Sequence, residues 1–512
     1  MWLFLERKDF DKRLSKRSTH NFNGCSRKEY LQQSRSKKDS IKKDEKNILT
    51  IERKNCVMNI LFTTSAAPRT SPFFTNEKRP PLGVGSLISL LRNEGHKVLF
   101  IDNYLQPSNF IEDGFLQKNR IDLVAIHANT ICYRDTLRMF NEIETLRKRG
   151  LWKGKIIVGG PHTSVALETI PEFVDHVVQG EGERAILKVI NGEVKTRVIR
   201  EERIKDLDSL PFQPWDIFNK LPYDYTCPWI DTKPIFTMNT SRGCPYNCSF
   251  CSVGSIWGKQ YTYFSTDRII AEIEYLIKNY NAKGIYFRED NFTLNLNRTE
   301  EFCEKLLQKN IIIHWACETR VDNLTEELIE LMSLAGCKAF YLGVESGSQK
   351  ILDYINKQIT VEQITNAIKW CKKYNIKTYC SLITGVPGET YNDYLVTKRL
   401  METLKPYAYA FNIFVGIPQS SLYKDILDDN LYEYIDDIGL VYPSGYAIKA
   451  KFFYGMESKN LVDYEFTQMT DYDKLLLKQL YRVERKEKIA SMIPDSILSI
   501  LRKTKNIFKK YE

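Results

Sequence analysis

Ser241-Arg242-Gly243-Cys244-Pro245-Tyr246-Asn247-Cys248-Ser249-Phe250-Cys251 follows directly on the apolar run Ile235-Phe236-Thr237-Met238-Asn239-Thr240. The run reads as a strand, and a functional loop at its carboxyl end is the arrangement expected at the top of a β/α barrel. Gaps of three and two residues let one tight loop aim Cys244, Cys248 and Cys251 at a single inorganic centre. Soft thiolates favour zinc or iron–sulfur. Tetrahedral zinc wants a fourth protein ligand, and none is evident nearby. An iron–sulfur cube with one iron left open suits three thiolates better, because that iron can hold a substrate or cofactor. A structural zinc, or no metal at all, is the minority reading. A chance grouping of 3 among 12 cysteines would not also bring Gly243 before it, Pro245 inside it and Phe250 just ahead of the last thiol.

Outward from the loop, the chain alternates strands and helices. Strands are expected over 284–287, 312–316, 339–344, 377–383 and 410–414, with helices over 266–279, 299–308, 325–335 and 361–374 between them. With 235–240 these make six strands, a partial barrel over 235–430. Polar residues gather where the strands end: Arg288-Glu289-Asp290-Asn291, Thr319-Arg320-Val321-Asp322, Gly343-Val344-Glu345-Ser346-Gly347-Ser348 and Gly385-Val386-Pro387-Gly388-Glu389-Thr390. Each taken alone is an ordinary loop or turn. Their common placement after strands is not.

The cysteine spacing, followed by these four stretches in this order, resembles the radical S-adenosylmethionine (SAM) enzymes. The resemblance implies a [4Fe–4S] cluster on Cys244, Cys248 and Cys251, whose open iron is chelated by the amino and carboxylate groups of SAM. Reductive cleavage then yields a 5'-deoxyadenosyl radical, with electrons from a donor such as flavodoxin or ferredoxin. It also implies roles for the strand ends. Glu289 and Asp290, where the family often has two aspartates, would accept from the SAM ammonium by charge-assisted bonds. Arg320 would balance the SAM carboxylate or a buried acid. Glu345 and Ser346 would bond the ribose or amino group, and Gly385 and Pro387 would shape a turn near adenine. The sixth strand departs from the family's Pro-Gly-Thr-Pro-Leu-Tyr, reading Ile417-Pro418-Gln419-Ser420-Ser421-Leu422-Tyr423 instead. The change alters either substrate contacts or the shape of a loop.

Upstream, residues 58–190 show a second alternating unit. Strands are expected at 58–64, 98–102, 123–126 and 155–160, with helices after Pro80-Pro81-Leu82-Gly83 and over 133–149. This is the pattern of a mostly parallel sheet, whose ligands lie beyond the carboxyl ends of the strands. Pro81-Leu82-Gly83, Gly95-His96-Lys97-Val98 with Asp102, Val158-Gly159-Gly160-Pro161-His162-Thr163 and Gly180-Glu181-Gly182-Glu183 resemble the cobalamin-binding domain at the front of one radical SAM class. The resemblance implies cobalamin contacts at Pro81, Gly83, Gly159, Gly160, His162 and Thr163. Physically, the two glycines let backbone approach a bulky planar ligand, and Thr163 bonds ligand edges or caps the next helix. The Asp-x-His-x-x-Gly stretch that ligates cobalt from below is missing. That disfavours an adenosylcobalamin mutase more than it disfavours cobalamin. His96 reads as structural, and His162 as the better pocket contact.

The rest sets limits. Residues 1–57 hold 16 Lys or Arg against 8 Asp or Glu, most of the chain's net charge of +10. They read as a basic, disordered extension. The near balance elsewhere argues against a nucleic-acid-binding body. No apolar run reaches the roughly 20 residues that span a bilayer, and the opening Met-Trp-Leu-Phe-Leu is too short for a signal peptide. A cytoplasmic location under low oxygen suits the cluster. Residues 191–234 read as a partly ordered linker wrapped over a neighbouring domain, in which Cys227-Pro228-Trp229 packs. Residues 431–512 read as a helical region, with helices over 470–486 and 495–509; capping the barrel explains them with fewer assumptions than a membrane surface.

The fold expected is therefore α/β: a Rossmann-like cobalamin-binding domain, then a partial (β/α)6 radical SAM barrel, then a helical C-terminal region. The activity expected is cobalamin-dependent methyl transfer to an unactivated carbon. Radical cyclisation, oxidation or rearrangement without methyl transfer is the alternative. No residue is assigned to the chemical step itself. The substrate is left open among small molecules, lipids and peptides.

Overall fold

The computed structural model describes residues 57–66, 77–112, 114–435 and 441–443. The expected extension (all but Val57) and the helices at 470–486 and 495–509 lie outside the described residues. What is described of 431–512 includes an antiparallel pair, Tyr432–Ile435 with Val441–Pro443, rather than helix.

The first sheet contains β1 (Asn59–Thr64), β2 (Lys97–Asp102), β3 (Leu123–His127), β4 (Lys155–Gly159), β5 (His176–Gln179) and β6 (Val198–Arg200). All pairs are parallel, in the order β2-β1-β3-β4-β5-β6. Side chains alternate across the sheet as its pleat requires. Leu123 and Ala125 join the core under helices Leu82–Asn93 and Glu183–Ile190, while Val124 and Ile126 face helix Tyr133–Lys148. Chain order reverses between β1 and β3, which opens a crevice at the strands' carboxyl ends. Two of the six strands escape a reading from pattern. Spanning four and three residues, β5 and β6 are too short to show a period, and β6 falls within the expected linker.

The second sheet begins with β7 (Ile235–Met238). A two-residue antiparallel clasp follows, β8 (Ser241–Arg242) with β9 (Thr262–Tyr263). Then come β10 (Gly284–Phe287), β11 (His314–Thr319), β12 (Cys337–Glu345), β13 (Lys377–Thr384) and β14 (Ala408–Ile413). The order β14-β13-β12-β11-β10-β7 is wholly parallel and leaves β14 and β7 unjoined, so the barrel is open. The third of these strands is displaced from 312–316 to His314–Thr319. Ile312, in an apolar triplet that mimics a strand, is 93% exposed. Outward-facing Phe287, Trp315, Phe340 and Leu342 make the main core with the surrounding helices, and inward-facing Tyr286, Ala316 and Ala339 meet Cys227 and Ile230. Trp229 closes that inner layer against Tyr286, Tyr341 and Tyr379.

The segment between the sheets is a wedge more than a tether. Trp215 and Phe218, on one turn of helix, are fully buried in the barrel's core together with Leu105 from the first unit. Trp215 donates its indole N–H to Glu272 at 3.0 Å. Shared apolar burial of this kind opposes hinge motion between the units. The carboxyl ends of the two sheets are thereby brought together.

Candidate functional site

A cavity of about 490 Å³ lies where those ends meet. From the first unit it is lined by Gly83, His127, Gly159, Gly160 and the run Gly180–Glu183; from the barrel by Asn239, Arg242, Arg288, Glu289, Asp290 and Glu318.

The first rim is shaped by backbone. Gly160 holds φ +115°, and a Cβ there would stand 2.6 Å from the Ala128 carbonyl oxygen. Glycine is required here by that φ and by the closeness of the Ala128 backbone. The residues after the glycines turn away from the cavity. His162 is completely buried, stacked 3.9 Å from Tyr133, with its ring nitrogens on Thr130 (3.2 Å) and Thr169 (2.9 Å). Burial holds its pKa down to about 4, so the ring is neutral. Thr163 donates to the carbonyls of Gly160 and Val178 at 2.9 and 2.6 Å. Both brace the glycine turn from behind and do not line the cavity, a placement different from the pocket contact expected of them. Gly83 lines it; Pro81 precedes it as the residue before helix Leu82–Asn93.

The barrel rim is shaped by charge. Glu289, at the end of β10, is buried and accepts from Thr240 N–H (3.1 Å), Thr240 Oγ1 (2.7 Å) and Ser241 Oγ. It therefore fixes the exit of β7 into the cysteine loop. Its neighbour Asp290 is the accessible member of the pair. Burial among protein atoms, then the Glu289 carboxylate, pushes Asp290 up to about 6, against the Gly243 N–H and Arg203. Arg320 grips Asp322 with two bonds of 2.9 and 3.0 Å and donates to the Lys357 carbonyl at 2.6 Å. It also lies 3.7 Å over Tyr246 and reaches Cys248 Sγ at 3.4 Å, so it braces the cysteine loop itself. Glu345 has φ +63° at a register irregularity in β12, and its carboxylate pairs with Lys357 at 2.7 Å in a fully buried contact. Ser346 bonds Thr397 and the Ser348 N–H, both at 3.1 Å. The Gly385 N–H donates to Glu389 within the next turn, which contains buried Pro387. Asp393 joins the two turns, accepting from Ser348 Oγ at 2.7 Å and closing a capping box with Thr390.

The cysteine loop is held on several sides. Ser249 donates to Ile355 and accepts from Leu422, at 2.9 and 2.8 Å. Ser255 donates to the Gln419 carbonyl at 2.8 Å. The unusual stretch 417–423 thus packs on the loop, which favours reshaping over substrate contact. At the root, Gly243 has φ +87°, and a Cβ there would stand 2.3 Å from the Gln260 carbonyl. Pattern reasoning passed over Arg203, Arg242, Lys357 and the charges of Glu181 and Glu183. The Gly-Glu-Gly-Glu run was the only visible signal among them, and its partners are remote in sequence.

Residues 76–190 match the B12 binding domain family, and residues 238–401 match the radical SAM superfamily. An uncharacterized methyltransferase of Pyrococcus horikoshii is 30% identical over 399 residues, 73% of this chain and 84% of the relative. The chain belongs to the cobalamin-binding radical SAM family. The anaerobic magnesium-protoporphyrin IX monomethyl ester cyclase of Rubrivivax gelatinosus is 27% identical over 68% of this chain and 66% of its own. Among solved structures, the cobalamin-dependent radical SAM enzyme OxsB with aqua-cobalamin bound superposes with a TM-score of 0.64 at 18% identity. The match covers 76% of this chain but 64% of OxsB, under two thirds of its length. The radical SAM methyltransferase TsrM from Kitasatospora setae gives 0.58 at 15%, over 73% and 75%. Both likenesses show the fold.

The residues present fit the family's cofactors. Cys244, Cys248 and Cys251 are free and half-buried. Burial, reinforced by the neighbouring thiols and Asp290, pushes Cys251 up to about 11, so a cation is needed to hold it as thiolate. Among the described residues no three His, Cys, Asp or Glu side chains converge on a single ion. A cuboidal cluster would make no such demand, because Cys244, Cys248 and Cys251 would each supply it one thiolate. The first rim of the cavity, backbone and apolar side chain at Gly83, Val84, Ile157, Pro161 and Val178, suits a large planar corrinoid, and at Gly83 a Cβ would meet nothing within 4 Å. Among the described residues no helix is long and apolar enough to cross a membrane.

Proposed function

We propose that this enzyme is a cobalamin-dependent C-methyltransferase acting on an unactivated carbon. The carrying observation is the single cavity shared by the glycine rim of the first sheet and the cysteine-loop rim of the barrel. When bound, the cluster with SAM supplies a carbon-centred radical, and the cobalamin supplies a methyl group; such chemistry belongs to cofactors, while the protein contributes placement and exclusion of water. In this reading Cys244, Cys248 and Cys251 hold the cluster. Asp290, the one carboxylate of its pair not consumed by the strand exit, receives the SAM ammonium. The buried Glu345–Lys357 pair, Ser346 and the Gly385–Pro387 turn shape the wall for the rest of SAM. Arg320 keeps Cys248 and Tyr246 in register. Gly83, Gly159 and Gly160 give the corrinoid its floor, with His162 and Thr163 holding that floor rigid from behind.

The test is anaerobic reconstitution with hydroxocobalamin, iron and sulfide, followed by quantification of bound corrinoid and cluster. Reaction with SAM labelled in its methyl group then separates the readings. Methyl transfer predicts both 5'-deoxyadenosine and S-adenosylhomocysteine, with label in a product. The cyclase relatives supply the one specific reason for a second reading, cyclisation or oxidation, which predicts 5'-deoxyadenosine without S-adenosylhomocysteine. A protein that binds four irons but no corrinoid overturns the methyltransferase proposal.

A further inference from the structure

Between the two rims lies a buried ionic knot that neither cofactor's binding requires. Glu181, in the loop after β5, and Glu183, the first residue of the helix that follows it, have side chains only 2% and 6% exposed. Both face Arg242, in the clasp strand β8 and two residues ahead of Cys244. Arg242 donates to Glu183 at 2.6 Å, and its other terminal nitrogen stands 3.3 Å from Glu181. Glu183 is itself fixed by Ser86 Oγ at 3.0 Å, on the helix Leu82–Asn93 that also carries Gly83. Glu181 accepts from the Ile204 N–H at 2.7 Å and approaches Arg203 at 3.3 Å. Arg203 completes the knot by donating to the Arg242 carbonyl (3.1 Å), the Trp257 carbonyl (3.1 Å) and Thr262 Oγ1 (2.9 Å). Trp257 lies within 5.4 and 5.9 Å of the two guanidinium groups.

Two details separate this knot from a plain strut. Glu181, Glu183 and Arg242 all line the cavity. And Nη1 of Arg242 is buried without a hydrogen bond, its approach to Glu181 being misaligned for one. The Glu181 contact, an ion pair without an aligned hydrogen bond, is the part of the knot that a small shift of either rim would tighten or loosen. The same guanidinium also stands at the root of the cysteine loop, where Gly243 leaves no room for adjustment.

We infer that Arg242 is a positioning residue that couples occupancy of the cluster site to corrinoid binding, through Glu181 and Glu183. The inference rests on the proposed reading of the cavity as a corrinoid site. Coupling of this kind is reciprocal, and each ligand then changes the other's affinity by one common factor. A strut with no such role would alter corrinoid affinity equally with and without cluster.

The experiment titrates full-length protein with hydroxocobalamin in two states, iron-free and reconstituted with its cluster, and takes the ratio of the two Kd values. For the unmodified chain the expected ratio is on the order of tenfold, tighter with cluster. Arg242→Gln should bring the ratio close to one, Arg242→Lys should restore part of it, and Glu183→Gln should reduce it. Glu183→Gln keeps the side chain's size and its bond from Ser86, so it answers the question if Arg242→Gln does not fold. A ratio near one in the unmodified chain, or an undiminished ratio in Arg242→Gln or Glu183→Gln, overturns the coupling while leaving the corrinoid reading intact. Failure of hydroxocobalamin to bind either state removes the corrinoid reading itself and the coupling with it.

Discussion

At the carboxyl end of the first sheet, Gly159, Gly160, Gly180 and Gly182 line the cavity, and the titratable His162 close by is sealed behind it. At the corresponding end of the barrel, Glu289, Glu318, Arg320 and Glu345 stand at strand ends, and each is engaged by a hydrogen bond or an ion pair. On the proposed reading the first rim meets its ligand mainly by shape, its charges at Glu181 and Glu183 being committed to Arg203 and Arg242, and the second meets its ligand by charge. A large planar ligand with a mostly apolar face needs close backbone approach; a zwitterion needs fixed partners of both signs. The difference also divides the consequences of substitution. Damage to the barrel rim should fall on chemistry and electrostatics, damage to the glycine rim on shape.

Replacing Cys248 by Ala should break the barrel rim most completely, with loss of the four-iron cluster and of all 5'-deoxyadenosine formation. Corrinoid should still bind. The checks are iron and sulfide content, SAM cleavage and corrinoid stoichiometry, and retained cleavage would remove Cys248 from the ligand set.

Next in size is Lys357→Met. It leaves the Glu345 carboxylate buried without its counter-ion, and breaking one partner of such a pair costs about 3–5 kcal/mol. The shift should appear in a chemical-denaturation midpoint. Lys357→Met combined with Glu345→Gln should recover much of that stability without recovering SAM binding.

Gly160→Ala tests the other rim. Its φ of +115° and the 2.6 Å approach to Ala128 predict strain of about 1–3 kcal/mol. Corrinoid retention should fall while the cluster content stays unchanged. Equal loss of both would mean that the two rims are not separable in the way described.

The finest test is of pH. His162 has a folded-state pKa of about 4, held down by burial, against about 6.5 when unfolded. The unfolded chain therefore binds the extra proton first as pH falls. The stability tied to the neutral ring is intact above about 6.5 and drains away between there and about 4, the loss reaching about 2 kcal/mol at pH 5. His162→Gln should flatten that part of the stability–pH curve, measured by urea unfolding at pH 7.5 and 5. A curve as steep as the unmodified chain's would show that other groups govern the acid limb.

Much of this was readable before any fold was known, and the readable parts share a feature. The cysteine loop, the strand-end turns and the glycine pair are all local, with chemistry set by residues a few positions apart. The six-strand barrel followed from alternation over long elements, whereas β5 and β6 were too short to announce themselves. Trp215 and Phe218 sat in a stretch without period and yet lie at the bottom of the main core. Nothing in the spacing of Arg242 and Glu183, 59 residues apart, signals that they touch. Glu289 and Asp290 are adjacent and chemically alike, but only Asp290 is exposed, because Thr240 and Ser241 hold Glu289 in the strand exit.

By itself, then, the sequence determined the inventory: three thiols on one loop, a glycine turn after a strand, and polar residues at the ends of barrel strands. Spacing within a loop or turn survives folding unchanged, which is why these could be read directly. The tertiary structure alone decided which polar groups face the cavity and which brace it, and that Glu181 and Glu183 close on the root of the cysteine loop. Those outcomes depend on burial and on partners distant along the chain, where a side chain is committed by whatever packs against it.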